Sequence, residues 1–397
     1  MKFESSRVFG SWAPQVGKRL LQYLKVLPVY LLQNPAGYDL RLYGLMPIIG
    51  LGTLLKRRCI EIEFSLFILL FATSTVISLC HADWLAARRS FQTLCMAGFC
   101  SYLIHFFSYK QLVQLAKNAL YLLIGYYIYD FLFGIKSHVV ILQTWHTYFL
   151  VSGLLNNSNY TGLLSAGLAI FFGLNKNYRL FLVGIILVFI SQSKTAFFCL
   201  FVALPLLFTA DKNSSKLRFY AYGVFGLIVL SPFILLVFEM ISPESLKLAV
   251  NAWSGSRYSI QLSFLELFKS APFGVGYDRS HELIGKFLGH GSTIVTNGLF
   301  VPYFQDIGAH NTYLKILTEL GVCGYVTYLL FIFMVLRKSL ARNGYLSVAF
   351  MAICASQLWL EGLSEFIFYF FIALVLRNPD ELLNTGTSAG FCGAECS

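Results

Sequence analysis

A polytopic, all-α integral membrane protein is the fold class that this sequence predicts, and three observations predict it. Hydrophobic residues make up 57 % of the 397 positions. Charged residues make up only 12 %, about half the roughly 25 % usual in soluble domains. Apolar runs approaching twenty residues recur along the length, and only helices of about that length satisfy their own backbone inside lipid.

Twelve such segments are expected, near residues 20–33, 42–55, 61–80, 91–108, 112–135, 160–174, 177–192, 195–209, 219–240, 313–336, 345–360 and 364–377. Several fall short of the roughly twenty residues a straight span needs. The segments 177–192 and 195–209 are read as two helices, because Ser191-Gln192-Ser193-Lys194-Thr195 puts polar groups where a turn belongs. The first segment holds Lys25 and Pro28, and either spans or lies along the interface. Residues 1–379 are expected to form a single integral domain. The tail 380–397, with its Gly, Ser and Thr, reads as disordered. No internal repeat is seen. No cleavable leader is expected, since Lys2, Arg7, Lys18 and Arg19 precede a short apolar run without a small-residue cleavage site.

The net charge of +11 has a membrane origin rather than a nucleic-acid one. Basic residues fill alternate short connections: Lys56-Arg57-Arg58, Lys110, Lys176 with Arg179, Lys212 to Arg218, and Arg337-Lys338 with Arg342. The positive-inside rule then places both termini in the cytoplasm, and Lys194 and a long loop at 241–311 outside it. Arg88-Arg89 is the basic pair on the outer side that the rule does not anticipate. The nine cysteines show no metal spacing, and most lie in apolar runs as small core hydrophobes.

Missing motifs narrow the chemistry. There is no phosphate-cradling G-x-x-x-x-G-K-[ST] loop, no D-x-D pair and no G-x-S-x-G elbow. His281-Glu282 begins like a zincin helix, but Gly285 stands where the second histidine is required. No metal ligand set and no cofactor are expected. Asn156-Asn157-Ser158 and Asn159-Tyr160-Thr161 fit glycosylation sequons, a weak signal.

The longest polar interval, Trp253 to Gly324, holds three of the seven histidines. It contains Ser254-Gly-Ser-Arg257, Pro272-Phe-Gly274-Val-Gly276 and His310-Asn311-Thr-Tyr313-Leu314. Lys194, Arg257 and Arg279 are cations on its side of the membrane. Tyr258 to Phe273 spaces Leu262, Leu265 and Phe268 like a helix lying on the membrane surface. Cations beside an apolar bed suit an anionic, lipid-linked substrate, although such side chains also meet lipid headgroups.

His310 directly precedes a span whose cap is Asn311 or Thr312. The positive end of a helix disfavours imidazolium and attracts anions, so His310 reads either as a general base or as a structural interface residue. Lys315 and Glu319, one turn apart, read as a mutual pair or as interior functional charges. Glu361 and Glu365 read as turn residues rather than acid and base.

At these residues the sequence resembles the O-antigen ligase/polymerase superfamily of bacterial membrane proteins. The match lies in Ser191-Gln-Ser-Lys194, Ser254-Gly-Ser-Arg257, Pro272-Phe-Gly-Val-Gly276, His310-Asn-Thr-Tyr313-Leu314 and Glu319-Leu-Gly321, in the expected order. The N-terminal half matches only in hydropathy. The resemblance implies a metal-independent, inverting glycosyltransferase of the inner membrane that uses an undecaprenyl-diphosphate-linked glycan donor. The acceptor would be a glycan or lipid A–core, in lipopolysaccharide or exopolysaccharide assembly. It implies diphosphate binding by Lys194, Arg257 and Arg279, catalysis by His310, and accessory roles for Asn311, Tyr313 and Glu319. Lys194 stands where the family usually has arginine, keeping the charge but losing the bidentate fork. The rival reading is transport, as a lipid-linked oligosaccharide flippase or another polytopic transporter. It predicts charges at mid-membrane and related halves, which the sequence does not display.

Overall fold

A computed structural model of the chain describes residues 50–54, 62–133, 137–141, 147–151, 158–207, 215–254, 257–287, 295–296, 299–300, 309–360 and 366–377. The first expected segment, most of the second, Lys56-Arg57-Arg58, Glu361, Glu365 and the tail lie outside the described residues. The rest is a helical assembly. In order come α1 (Phe64–Cys80), α2 (Trp84–Phe106), α3 (Tyr109–Phe133), α4 (Ser158–Leu174), α5 (Tyr178–Ser191), α6 (Lys194–Leu207), α7 (Ser215–Ile241) and α8 (Glu244–Ser254). Then follow α9 (Arg257–Ser270), the short α10 (Ser280–Leu283) running into a 3-10 turn, α11 (Thr312–Asn343), α12 (Ser347–Ser356) and α13 (Phe366–Leu376).

Two small antiparallel ribbons qualify the all-α expectation. β1 (Ser137–Ile141) pairs with β2 (Thr147–Val151) after α3, and β3 (Val295–Thr296) pairs with β4 (Leu299–Phe300) in the long loop.

Among the described residues two helices are long and apolar enough to cross a membrane, Ser215–Ile241 and Thr312–Arg342. The other apolar helices, 10–17 residues long, fall below the roughly twenty a straight span needs. A lipid environment still accounts for the surface. Phe201 is 75 % exposed, Phe219 83 % and Leu69 64 %, while Phe233, Ile234 and Val237 are also exposed along α7. An apolar belt on that scale marks a surface that water does not cover.

Capping explains several boundaries. Asp83 accepts from the Ala86 amide at 3.0 Å and starts α2. Asn177 accepts from Leu180 N and starts α5. The expected break between 177–192 and 195–209 is present: Gln192 turns left-handed at φ +51, and Ser193 Oγ accepts from Ala196 N at 3.2 Å to start α6.

The late span departs from expectation. α11 is not continuous, because Gly321 has φ +68 and ψ −171, a conformation essentially restricted to glycine. The stretch Thr312–Leu320 is therefore a short half-helix, and a longer one follows. Val322 N, which an unbroken helix would direct to Thr318 O, donates instead to Pro272 O at 3.1 Å. The released Thr318 and Glu319 carbonyls accept from Val275 N (3.1 Å) and Gly276 N (2.9 Å). A Cβ on Gly321 would lie 2.3 Å from Phe273 C, and one on Gly274 2.5 Å from Glu319 O. Pro272-Phe-Gly-Val-Gly276 and Glu319-Leu-Gly321 are thus two halves of one clasp, in which the loop repairs the backbone of a broken helix.

α9 also corrects an expectation. It packs inside the protein rather than along the membrane surface, with Ile260, Phe264 and Leu267 buried on one stripe and Leu265 buried as well. Thr318 Oγ1 donates to Phe264 O at 3.2 Å, tying α9 to the half-helix.

Candidate functional site

Three contacts bring the expected site residues to one end of the bundle. Phe198, one turn along α6 from Lys194, meets Trp359 with ring centroids 6.2 Å apart. Gln261, one turn along α9 from Arg257, donates from Nε2 to Leu358 O at 3.2 Å. Thr312, two residues after His310, donates from N to Gln357 O at 2.9 Å and from Oγ1 to Leu360 O at 3.0 Å. The starts of α6, α9 and α11 thus surround the turn that follows α12. The basic residues Lys338 and Arg342 lie at the far end of α11, where Lys338 pairs with Glu63 at 2.8 Å.

His310 is half-buried, with φ +48. Five described non-glycine residues have positive φ: Ala82, Lys176, Gln192, Asp278 and His310. Three of these belong to the polar segments under discussion. Such conformations cost roughly 1–2 kcal/mol each and persist where surrounding structure over-determines them. For His310 the cause is local. Asn311 is fully extended at φ −154 and caps α11, accepting from Leu314 N at 3.0 Å, so the chain must turn sharply one residue earlier. The ring is thereby held at the mouth of a helix N-terminus.

Arg257 opens α9 and is half-buried. Burial lowers the pKa of its guanidinium below the ordinary value. Among the described residues it makes no ion pair. The first turn it starts is already satisfied: Ser254 Oγ accepts from Tyr258 N at 3.3 Å and Asn251 Oδ1 from Ser259 N at 3.1 Å. The Tyr258 hydroxyl bonds Glu239, which also pairs with Lys247 at 3.0 Å, anchoring this corner to the end of α7. A desolvated guanidinium without an acidic partner is costly unless an anion completes it. Lys194, the first residue of α6, is exposed.

Arg279 is placed differently. It pairs with Asp83 at 3.4 Å and reaches Glu282 at 4.0 Å. Its neighbour Asp278 is buried and holds two cations, Arg89 from α2 and Lys315 from the half-helix at 3.2 Å. Arg89 of the basic pair Arg88-Arg89 thus has a local reason for its place, since it is drawn to a loop carboxylate. Lys315 and Glu319 each face the loop: Glu319 accepts from Asp278 N at 2.8 Å and from the Ser280 hydroxyl at 2.5 Å. Glu319 is 1 % exposed and Tyr313 0 %. The Tyr313 hydroxyl donates to Cys354 O at 2.8 Å. Of the three expected accessory residues, Asn311 is occupied as a cap, Tyr313 is core, and Glu319 braces the loop. Sequence reading missed Asp278 altogether. Its only signal is the dipeptide Tyr277-Asp278 after the glycines, and Tyr277 meets Thr93 Oγ1 at 3.0 Å inside the protein.

Residues 180–329 match the family model described as O-antigen ligase. The matched stretch, less than half of the 397 residues, supports a likeness to the O-antigen ligase/polymerase superfamily. The matched stretch runs from α5 into α11 and contains Lys194, Arg257, Arg279, His310, Asn311, Tyr313 and Glu319. Lipid-linked glycans and polysaccharide acceptors are the family's partners in general terms. No curated protein matches the chain in sequence.

Proposed function

We propose that the protein transfers a glycan from an undecaprenyl-diphosphate-linked donor to a sugar hydroxyl at the outer face of the bacterial inner membrane, with inversion and without a metal. The observation that carries this reading is Arg257, a half-buried guanidinium without an acidic partner among the described residues, at the end of the bundle that also holds His310. Outside the cytoplasm no ATP is at hand, so the energy must arrive in the donor, and a diphosphate leaving group supplies it.

Arg257 and Lys194 neutralise the charge that develops on the leaving diphosphate. Preorganised cations of this kind are worth most where water is excluded. His310 removes the proton from the attacking hydroxyl, a service worth about 10²–10⁴-fold. The half-helix behind it offers its positive end to the donor phosphate. Arg279 already has carboxylate partners, so its share in phosphate binding is the smallest of the three cations. The long loop lies outside the cytoplasm and both termini inside.

The transport reading is less well supported. Asp278, Lys315 and Glu319 are tied to an outer loop rather than set along a path through the bundle.

A glycan profile of a strain lacking this chain tests the function. Loss of a ligase leaves full-length polymer on its lipid carrier, and loss of a polymerase leaves single repeats attached to their acceptor. A glycan profile identical to the parent strain contradicts the proposal.

A further inference from the structure

The turn after α12 is held more firmly than a connection requires. Gln357 O and Leu360 O both accept from Thr312, and Leu358 O accepts from Gln261. The one residue within that run whose carbonyl is not among these acceptors is Trp359, and its backbone is fixed by its neighbours. Its N–H donates to Ser356 O at 3.0 Å. Its indole is half-buried and meets Phe198 at an interplanar angle of 67°. Phe198 is one turn from Lys194, Gln261 one turn from Arg257, and Thr312 two residues from His310. The turn that bears this indole therefore joins the three elements that bear the candidate chemistry, and the indole itself packs on α6 through Phe198.

We infer that Trp359 is the platform on which a pyranose ring of the acceptor glycan stacks beside His310, an assignment that rests on the glycan-transfer reading above. A pyranose has an apolar face of C–H bonds and a rim of hydroxyls. A planar, electron-rich ring meets that face and leaves the hydroxyls free, one of them toward the base. Amphipathic aromatic side chains with a few convergent polar groups are the usual make-up of such a site. Tryptophans also occur as membrane-interface anchors. Trp84, 73 % exposed, has that character, whereas Trp359 is packed against Phe198.

The test uses the full-length protein in detergent and a glycolipid extract from a strain deleted for this chain. The extract is separated into diphosphate-linked donor and acceptor, and each fraction is titrated against the other. In Trp359→Leu, which keeps apolar bulk against Phe198, the acceptor KM is expected to rise at least tenfold while the donor KM stays within twofold. Trp359→Phe, which restores a ring, is expected to recover the acceptor KM to within threefold of the parent. An acceptor KM unchanged in Trp359→Leu, or a fall in kcat alone, shows that the indole only packs or anchors, and overturns the assignment. Failure of the unsubstituted protein to join the two fractions at all is a different result, which removes the glycan-transfer reading itself.

Discussion

Arginine 257 and lysine 194 carry the same charge and are expected to answer differently to substitution. A guanidinium can hold a diphosphate through two parallel bonds, while an ammonium is a single mobile point charge. Arg257→Lys should therefore lower kcat/KM at least tenfold although the charge is kept, and Arg257→Ala by about 10²–10³-fold. Lys194→Arg should be tolerated. Transfer kinetics at matched protein levels decide this, and full activity in Arg257→Ala would remove that residue from the site. Arg279→Ala makes a useful contrast. Its partners Asp83 and Glu282 make it a brace of the loop, so its loss should lower thermal stability as well as activity.

At the scale of elements the clasp between Pro272–Gly276 and Gly321 makes the firmest prediction. Gly321→Ala puts a side chain where the backbone conformation is nearly glycine-only and where Phe273 C is 2.3 Å away. The variant is expected to lose most of its folded yield, read by fluorescence-detected size exclusion. Gly223→Ala and Gly226→Ala in α7, whose added Cβ meets nothing within 4 Å, are expected to behave as the parent. The same clasp shows what was legible in the sequence. Helix positions in the later ten segments followed from hydropathy, and the turn at Ser191–Lys194 followed from its polar groups. The break at Gly321 did not, because one glycine in an apolar run looks like a tolerated helical glycine until the partner loop is known. α9 was misread for a related reason. Leu262, Leu265 and Phe268 share helical spacing, but so do Ile260, Phe264 and Leu267, and only tertiary packing selects the buried stripe. Motif order singles out Lys194, Arg257 and His310, whose helix starts the fold brings to one end of the bundle, whereas Asp278 draws its meaning from residues as distant in sequence as Arg89.

For the whole molecule the question is which end faces out. Arg89, Asp278 and Arg279 lie at the end with His310, and Lys338 and Arg342 at the other. Phe273 is 88 % exposed at the first end and Lys216 is exposed at the start of α7. In a background without native cysteines, an impermeant thiol reagent on intact spheroplasts should label Phe273→Cys and spare Lys216→Cys; the reverse pattern inverts the topology. The chemistry proposed for the His310 end turns on one proton. An acceptor hydroxyl needs a base, and a glutamine at position 310 can hydrogen-bond but cannot take the proton. The decisive measurement is glycan transfer by purified His310→Gln protein with both substrates, run beside a donor-binding titration. The account predicts donor binding within about twofold of the parent and turnover reduced by about 10²-fold or more. Turnover above roughly a tenth of the parent, far more than loss of a general base allows, would contradict it and give His310 a positioning role instead.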